Sequence, residues 1–449
     1  MDQSTIDALR AQAVPPRLHI IDGKSVPASD GAVMDVISPI DGTVLTSMAR
    51  GTVADMQSAI ASARAAFEDG RWAGQPPGAR KKVLHKWADL IEANALELAV
   101  LGVRDNGTEI NMAIKAEPGS AAVTIRYYAE ALDKIYGEIA PTASDVLGMI
   151  HKEPVGVVGA IIPWNFPLMI GAWKLGPALA MGNSVVLKPA ETASLSLMRM
   201  VELAHEAGLP SGVLNAVTGE GAVVGEAMGL SMDVDVLVFT GSGGTGRRLM
   251  EYAARSNMKR VYLELGGKSP NVVFADAPDL KEAAKIAAGG IFRNAGQVCV
   301  AGSRLLVEAS IHDEFVAEVA KVSAAMRVGD PLDLGTAIGA VNSEVQLMQN
   351  LGFVESARSE GGEVVLGGSR ILESTGGYYM EPTIVTGVAP EATLTQKEVF
   401  GPVLGVSKFE SDDEAVRLAN GTVYGLAGGV WTSNLSRAHS IVKRIRTGV

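Results

Sequence analysis

The sequence holds a single cysteine, Cys299, in the stretch Phe292-Arg293-Asn294-Ala295-Gly296-Gln297-Val298-Cys299-Val300-Ala301-Gly302-Ser303-Arg304. A thiolate is a strong nucleophile, but a free cysteine is more often an inert core residue, and its surroundings decide between the two. Here Gly296 and Gly302 flank it. Glycines let backbone and ligand approach closely, an odd setting for a residue that only fills space. A second stretch, Val234-Asp235-Val236-Leu237-Val238-Phe239-Thr240-Gly241-Ser242-Gly243-Gly244-Thr245-Gly246, is an apolar run entering a literal G-x-G-x-x-G. Such glycines admit a pyrophosphate, and the free amides and positive end of a following helix favour the anion. A merely tight turn reads the same way. Taken by rote, the pattern makes Glu264, about 18 residues on, the acid for an adenine ribose. A third stretch, Val185-Val186-Leu187-Lys188-Pro189-Ala190-Glu191, ends a strand-like run with two charged residues. Lys188 and Glu191 could each grip a ribose, and a carboxylate there repels a 2′-phosphate, favouring NAD over NADP. A solvated loop ion pair fits the same residues.

These stretches need a scaffold, and the pattern predicts an α/β one. From residue 155 short apolar runs alternate with amphipathic segments, the signature of βαβ units in a parallel sheet covered on both faces. The strand candidates are Gly156 to Ile162, Ser184 to Leu187, Val213 to Val217 and Val234 to Phe239. Leu195 to Ala207 carries a helical stripe, and Met56 to Phe67 and Ala79 to Asn106 read as helices packed on the sheet. A second α/β pattern runs through Asn271 to Phe274, Arg304 to Glu308, Thr383 to Val388, Val403 to Lys408 and Ala427 to Trp431. Tyr136 to Lys152 is less regular and reads as an arm leaving the first domain. Met1 to Arg17 lacks an apolar core, so it does not resemble a signal peptide and reads as a frayed tail.

Composition narrows the function. With 449 residues, 47% of them hydrophobic and 20% charged, the chain can bury more than one core. A formal charge of −11 argues against a nucleic-acid partner and leaves a small molecule. One cysteine cannot form an internal disulfide, which fits a reducing, cytoplasmic setting. Pro154 to Trp173 has no charged residue before Lys174, yet Pro163, Asn165 and Pro167 would leave backbone groups unpaired in lipid, so a buried strand and loop are expected there rather than a membrane span. The six histidines show no metal-ligand spacing, and no metal is expected.

Together, Pro163-Trp164-Asn165-Phe166-Pro167, Leu263-Glu264-Leu265-Gly266-Gly267-Lys268, the Cys299 stretch and Glu398-Val399-Phe400-Gly401-Pro402 resemble the aldehyde dehydrogenase superfamily, in the right order and across nearly the whole chain from about Ile20. The resemblance implies a Rossmann-like cofactor domain (1–131 and 152–262), an oligomerisation arm (132–151) and a catalytic domain (263–449), in a homodimer or homotetramer. It implies that Cys299 attacks an aldehyde, that the Asn165 amide and the Cys299 N–H hold the oxyanion, and that Glu264 is the general base for deacylation, its carboxylate tuned by partial burial. Glu191, rather than Glu264, then takes the ribose role. The cofactor is NAD: Lys188 and Glu191 on the adenine ribose, Ser242 on the pyrophosphate, Glu398 on the nicotinamide ribose and Phe400 beside the nicotinamide, with Pro163, Trp164, Phe239, Gly241, Gly246 and Leu265 completing the site. Asn257-Met258-Lys259-Arg260-Val261, Phe274-Ala275-Asp276 and Ser436-Arg437-Ala438-His439 look like the gamma-glutamyl-gamma-aminobutyraldehyde dehydrogenases. An aminoaldehyde or other aliphatic aldehyde is the implied substrate, with Phe166, Trp173 and Tyr127 suggesting an apolar approach channel.

Two departures from the family pattern stand out. Gly243 replaces a usual threonine and loosens the phosphate turn. After Arg446-Thr447-Gly448-Val449 the family continues with a strand, a Gly-rich loop and a tail strand that pairs with a neighbour's arm. The resemblance therefore implies either a truncated chain or a natural short form, with an unpaired arm edge and a more open site. A CoA-acylating enzyme, which needs no deacylating base, and a catalytically silent NAD-binding protein are the competing readings.

Overall fold

A computed structural model describes residues 2–449. Its strands, in chain order, are β1 (His19–Ile21), β2 (Lys24–Val26), β3 (Val157–Ile161), β4 (Ser184–Lys188), β5 (Leu214–Ala216), β6 (Val236–Thr240) and β7 (Arg260–Glu264) in one sheet. The second sheet comprises β8 (Pro270–Val273), β9 (Arg304–Glu308), β10 (Glu363–Leu366), β11 (Thr383–Thr386), β12 (Val403–Phe409) and β13 (Gly429–Trp431).

The first sheet has the order β7-β6-β3-β4-β5-β1-β2, parallel from β7 through β5 and antiparallel at β1 and β2. Strands successive in the chain run outward from β3 on one side and from β6 on the other, so the order reverses between β3 and β6. Open α/β sheets bind ligands beyond the C-terminal strand edges at such a reversal. The apolar strands are buried on both faces: Val158, Ala160, Val185 and Leu187 join one core, while Val157, Ile161 and Val186 join the opposite one. This is the two-residue period of a strand between two helical layers.

The second sheet, β10-β11-β12-β9-β8-β13, is parallel except where β10 meets β11. Val273, Leu305 and Val307 pack into one core and Val272 and Leu306 into the other. Between β2 and β3 in the chain, Glu138–Ala140 and Gly148–Ile150 form a separate antiparallel hairpin whose Ile139 and Met149 are 76% and 74% exposed.

Several sequence expectations change. Residues 2–10 are not a frayed tail: Gln3–Arg10 is a helix capped by the Asp2 side chain, and Ile6 is fully buried beside Val100, Val103 and Ile110. The long helix expected over 79–106 is two helices, Pro77–Ala93 and Ala95–Asn106, because Asn94 leaves helical geometry (φ −106°, ψ 19°). Pro167 does not end structure but starts it, at the first position of the helix Pro167–Ala180, where a missing N–H costs nothing. The apolar stretch is thus a strand, a loop and a helix, and among the described residues no helix is long and apolar enough to cross a membrane.

Candidate active site

The nucleophile candidate sits in a loop that the backbone alone would not adopt. After the helix Leu280–Phe292, Asn294 (φ 52°), Ala295 (φ 49°) and Gly296 (φ 74°) lie consecutively in the left-handed region. For the non-glycine Asn294 and Ala295 this costs about 1–3 kcal/mol each unless their surroundings fix them. The Asn294 N–H points between both carboxylate oxygens of Glu109 (3.2 Å each), and the Thr108 hydroxyl donates to Asn294 Oδ1 at 2.7 Å. Gln297 donates from Nε2 to the Asn294 carbonyl (3.0 Å) and accepts the Asn342 N–H at Oε1 (2.8 Å). Gly296 is required by contact, since a Cβ there would lie 2.0 Å from the Gly401 carbonyl oxygen. The loop then delivers Cys299, half-buried, to a turn before β9.

Asn165, which follows β3, is buried and donates from Nδ2 to the Gln297 carbonyl at 2.9 Å, two residues before the cysteine. A primary amide has two N–H groups, so one remains for an oxyanion. Gly267 lies against the Cys299 carbonyl, where a Cβ would approach to 2.5 Å. Its N–H donates to Glu398 Oε1 at 2.9 Å, and a Cβ on Gly266 would meet the other Glu398 oxygen at 1.9 Å. The paired glycines thus bring a carboxylate beside the thiol. Phe400 holds a left-handed φ of 57°, and its ring meets Trp164 edge-on at 5.1 Å.

Electrostatics follow from this packing. Burial pushes the Cys299 thiol up, and the negative charges of Glu398 and Glu264 push it the same way. Burial also raises Glu398. The thiolate therefore forms only as pH rises above the free-thiol range of about 8.5 in the ligand-free protein. Alkylation of Cys299 by iodoacetamide, a clean readout with one cysteine, should show that alkaline midpoint. In Glu398→Gln, which removes a negative neighbour, the midpoint should move to lower pH; an unmoved midpoint would contradict the coupling.

Glu264 departs from expectation. It is exposed, because β7 is the edge strand of its sheet and its residues alternate between solvent (Arg260, Tyr262, Glu264) and the partly buried side (Val261, Leu263). Its charge nonetheless reaches both Cys299 and the Lys174 amine, whose pKa burial lowers and Glu264 partly restores.

The other expected residues gather at the C-terminal edge of the first sheet. Pro163 and Trp164 follow β3, and Lys188 ends β4, 3% exposed, with Nζ 2.9 Å from Glu191 Oε1. Gly241 and Ser242 follow β6. Ser242 caps the helix Gly243–Ala254, its hydroxyl accepting the Thr245 N–H at 3.3 Å. A Cβ on Gly244 would meet nothing within 4 Å, and on Gly243 only Arg247 at 3.7 Å, so the mouth of this turn is open. By contrast, Phe239 is 4% exposed and presses on Gly241, while Leu265 presses on Gly246, where Cβ atoms would come within 2.5 and 2.8 Å. Phe239 and Gly246 are buried and Gly241 and Leu265 half-buried, and their packing shapes the turn. Phe166 is also core, at 4% exposure, whereas Trp173 and Tyr127 are 44% and 66% exposed.

The profile described as the aldehyde dehydrogenase family matches residues 26–449. The chain belongs to the aldehyde dehydrogenase family. It is 46% identical over 442 residues to the NADP/NAD-dependent aldehyde dehydrogenase PuuC of Escherichia coli, covering 98% of this chain and 88% of that protein. The crystal structure of the aldehyde dehydrogenase KauB from Pseudomonas aeruginosa superposes with a TM-score of 0.98 at 48% identity, over 100% of this chain and 90% of that one. A gamma-glutamyl-gamma-aminobutyraldehyde dehydrogenase structure from Burkholderia cenocepacia gives 0.97 at 47% identity, with coverages of 100% and 90%.

In this aldehyde dehydrogenase the sequence reading overlooked the groups that hold the loops: Glu109, Asn294, Gln297, Asn342 and Arg304. No local signal marks Glu109, which meets Asn294 from 185 positions away. Arg304 had a legible sign, a charged residue opening a strand inside an apolar pattern. It is 4% exposed and donates to the carbonyls of Lys268 (2.8 Å), Leu418 (2.7 Å) and Ala419 (2.7 Å), tying the Gly266-Gly267 loop to the end of the helix Asp412–Ala419. Arg304→Met would leave those buried acceptors unpaired, at about 1–3 kcal/mol each. Its thermal midpoint should fall by several degrees, measurable by intrinsic fluorescence; an unchanged midpoint would show that the carbonyls find other partners.

Proposed function

We propose that the chain oxidises an aliphatic aldehyde or aminoaldehyde to its carboxylic acid with NAD, using Cys299 as nucleophile. The observation that carries this reading is the meeting of Asn165, Gly267 and Glu398 around the Cys299 loop, directly beside the C-terminal edge of the first sheet. Residues 1–131 and 152–262 would form the cofactor domain and 263–449 the catalytic domain. The exposed apolar hairpin of 132–151, with Ile139 and Met149 outward, supports assembly of copies of this chain.

The Cys299 sulfur, as thiolate, forms a bond to the aldehyde carbon and leaves a negative oxygen. The second Asn165 N–H and the Cys299 N–H stabilise that charge. A bound NAD, held by Lys188, Glu191, Ser242 and Glu398, would supply the acceptor for the hydride of the same carbon. Loss of hydride converts the thiohemiacetal to a thioester on Cys299. Glu264 then takes a proton from water, whose oxygen attacks the thioester; the acid leaves and the thiolate returns. The exposure of Glu264 suits a base that meets bulk water, and its reach to Cys299 suits a water held between them.

The dinucleotide fits the first sheet through its open turn at Ser242 and the Lys188–Glu191 pair. Lys188 neutralises Glu191 at 2.9 Å, so repulsion of a 2′-phosphate is weakened, and a modest preference for NAD over NADP is expected. PuuC is named as using both. The test is steady-state NAD(P)H formation with a panel of aliphatic aldehydes and aminoaldehydes. The reading expects turnover without CoA and a higher kcat/KM with NAD than with NADP. A strict CoA requirement, or no turnover of any aldehyde, would contradict it.

A further inference from the structure

A cavity of about 270 Å³ lies between the segment after the N-terminal helix and the helices Ala95–Asn106 and Leu195–Glu206, and none of the catalytic or cofactor residues above lines it. Its charged lining is Arg17, Arg104, Arg199, Glu97 and Glu202. Both carboxylates are committed. Glu202 pairs with Arg17 at 2.9 Å and with Arg199 at 3.2 Å, and Glu97 pairs with Arg199 at 3.3 Å. Arg104 makes no ion pair among the described residues and donates only to the Gln12 carbonyl, at 2.9 Å. Arg17 Nε is buried without a partner. The cavity thus holds one half-buried guanidinium with no carboxylate in contact with it; Asp105 and Asp41 act on its charge only from a greater distance. Gln12 adds a polar group to the lining, and Leu9, Val14, Val100 and Leu101 supply its apolar contacts, Val100 and Leu101 exposing little surface.

We infer that this cavity is a binding site for a small monocarboxylate with a hydrocarbon body, its carboxylate on Arg104 and its chain against the apolar wall. A guanidinium fork matches a carboxylate with two parallel hydrogen bonds. One unpaired cation beside two retained carboxylates suits a single negative charge; a dianion would place a second charge next to Glu202 with no partner. The volume is just under the ~300 Å³ at which drug-sized pockets begin, which limits the ligand to a short chain or one ring. The acids formed by aldehyde oxidation belong to this chemical class, although the site itself does not depend on the proposed reaction.

The test is isothermal titration of the full chain with hexanoate, hexan-1-ol and hexylamine, repeated after Cys299 has been alkylated to block the active site. Hexanoate is expected to bind once per chain in both forms, at least tenfold more tightly than the alcohol or the amine. Arg104→Met should weaken hexanoate binding about tenfold or more, corresponding to ~1.4 kcal/mol. Gln12→Glu, an exposed change that offers Arg104 an internal carboxylate, should do the same and decides the matter if Arg104→Met does not fold. Absence of hexanoate binding, its loss on alkylation of Cys299, equal affinity for hexan-1-ol, or unchanged affinity in a folded variant would overturn the site.

Discussion

Cys299→Ala is expected to lower aldehyde-dependent NADH formation by on the order of 10⁴-fold or more, because the covalent route disappears with the only thiol in the chain. Binding of NAD should survive, since Cys299 belongs to the second-sheet side of the site while Lys188, Glu191 and Ser242 sit on the first. The measurement is NADH absorbance with a reactive aldehyde, alongside a fluorescence titration of the cofactor. The loop itself should also persist. Its left-handed turn is fixed by Glu109, Thr108, Gln297 and Asn342, none of which contacts the thiol through a hydrogen bond. A variant that keeps substantial turnover would remove Cys299 from the mechanism, whatever its position.

Glu264→Gln should separate the two halves of the reaction. Hydride transfer does not need the base, so one equivalent of NADH per site should appear rapidly. Hydrolysis of the thioester does need it, and steady-state turnover should fall by about 10²–10⁴-fold, the usual worth of a positioned general base. Rapid-mixing absorbance resolves the burst from the steady state. An unchanged steady-state rate would mean that another group activates water. Lys174, which senses the charge of Glu264, is the neighbour to examine in that case.

The contrast between these sites and their supports shows what a sequence makes legible. The strands from Val157 to Thr240 were readable because burial on both faces produces continuous apolar runs. β7 was not: as an edge strand it alternates exposed and partly buried residues, and the same Leu263-Glu264-Leu265 stretch drew attention as a motif instead. The capped N-terminal helix was missed because it has one buried residue, Ile6, and its stability comes from distant partners. Cys299, Asn165 and Glu398 were named from their motifs, and the structure brings their segments together. Gly266 and Gly267 proved to be the close-packing points that seat Glu398. Phe239 packs over Gly241 and Leu265 over Gly246, so these expected cofactor contacts also hold the turn together. The burial of the Glu264 carboxylate was expected and is not found, since edge-strand exposure depends on sheet order rather than on composition.

The central claim is that the acyl group passes through a thioester on Cys299, and the most direct test is mass spectrometry of the intermediate. Glu264→Gln protein mixed with NAD and a simple aldehyde, then quenched in acid during the burst, should carry one acyl group per chain, located by peptide mapping on the peptide containing Cys299. Acylation of a different residue, or a full NADH burst with no acyl adduct at all, would contradict the account.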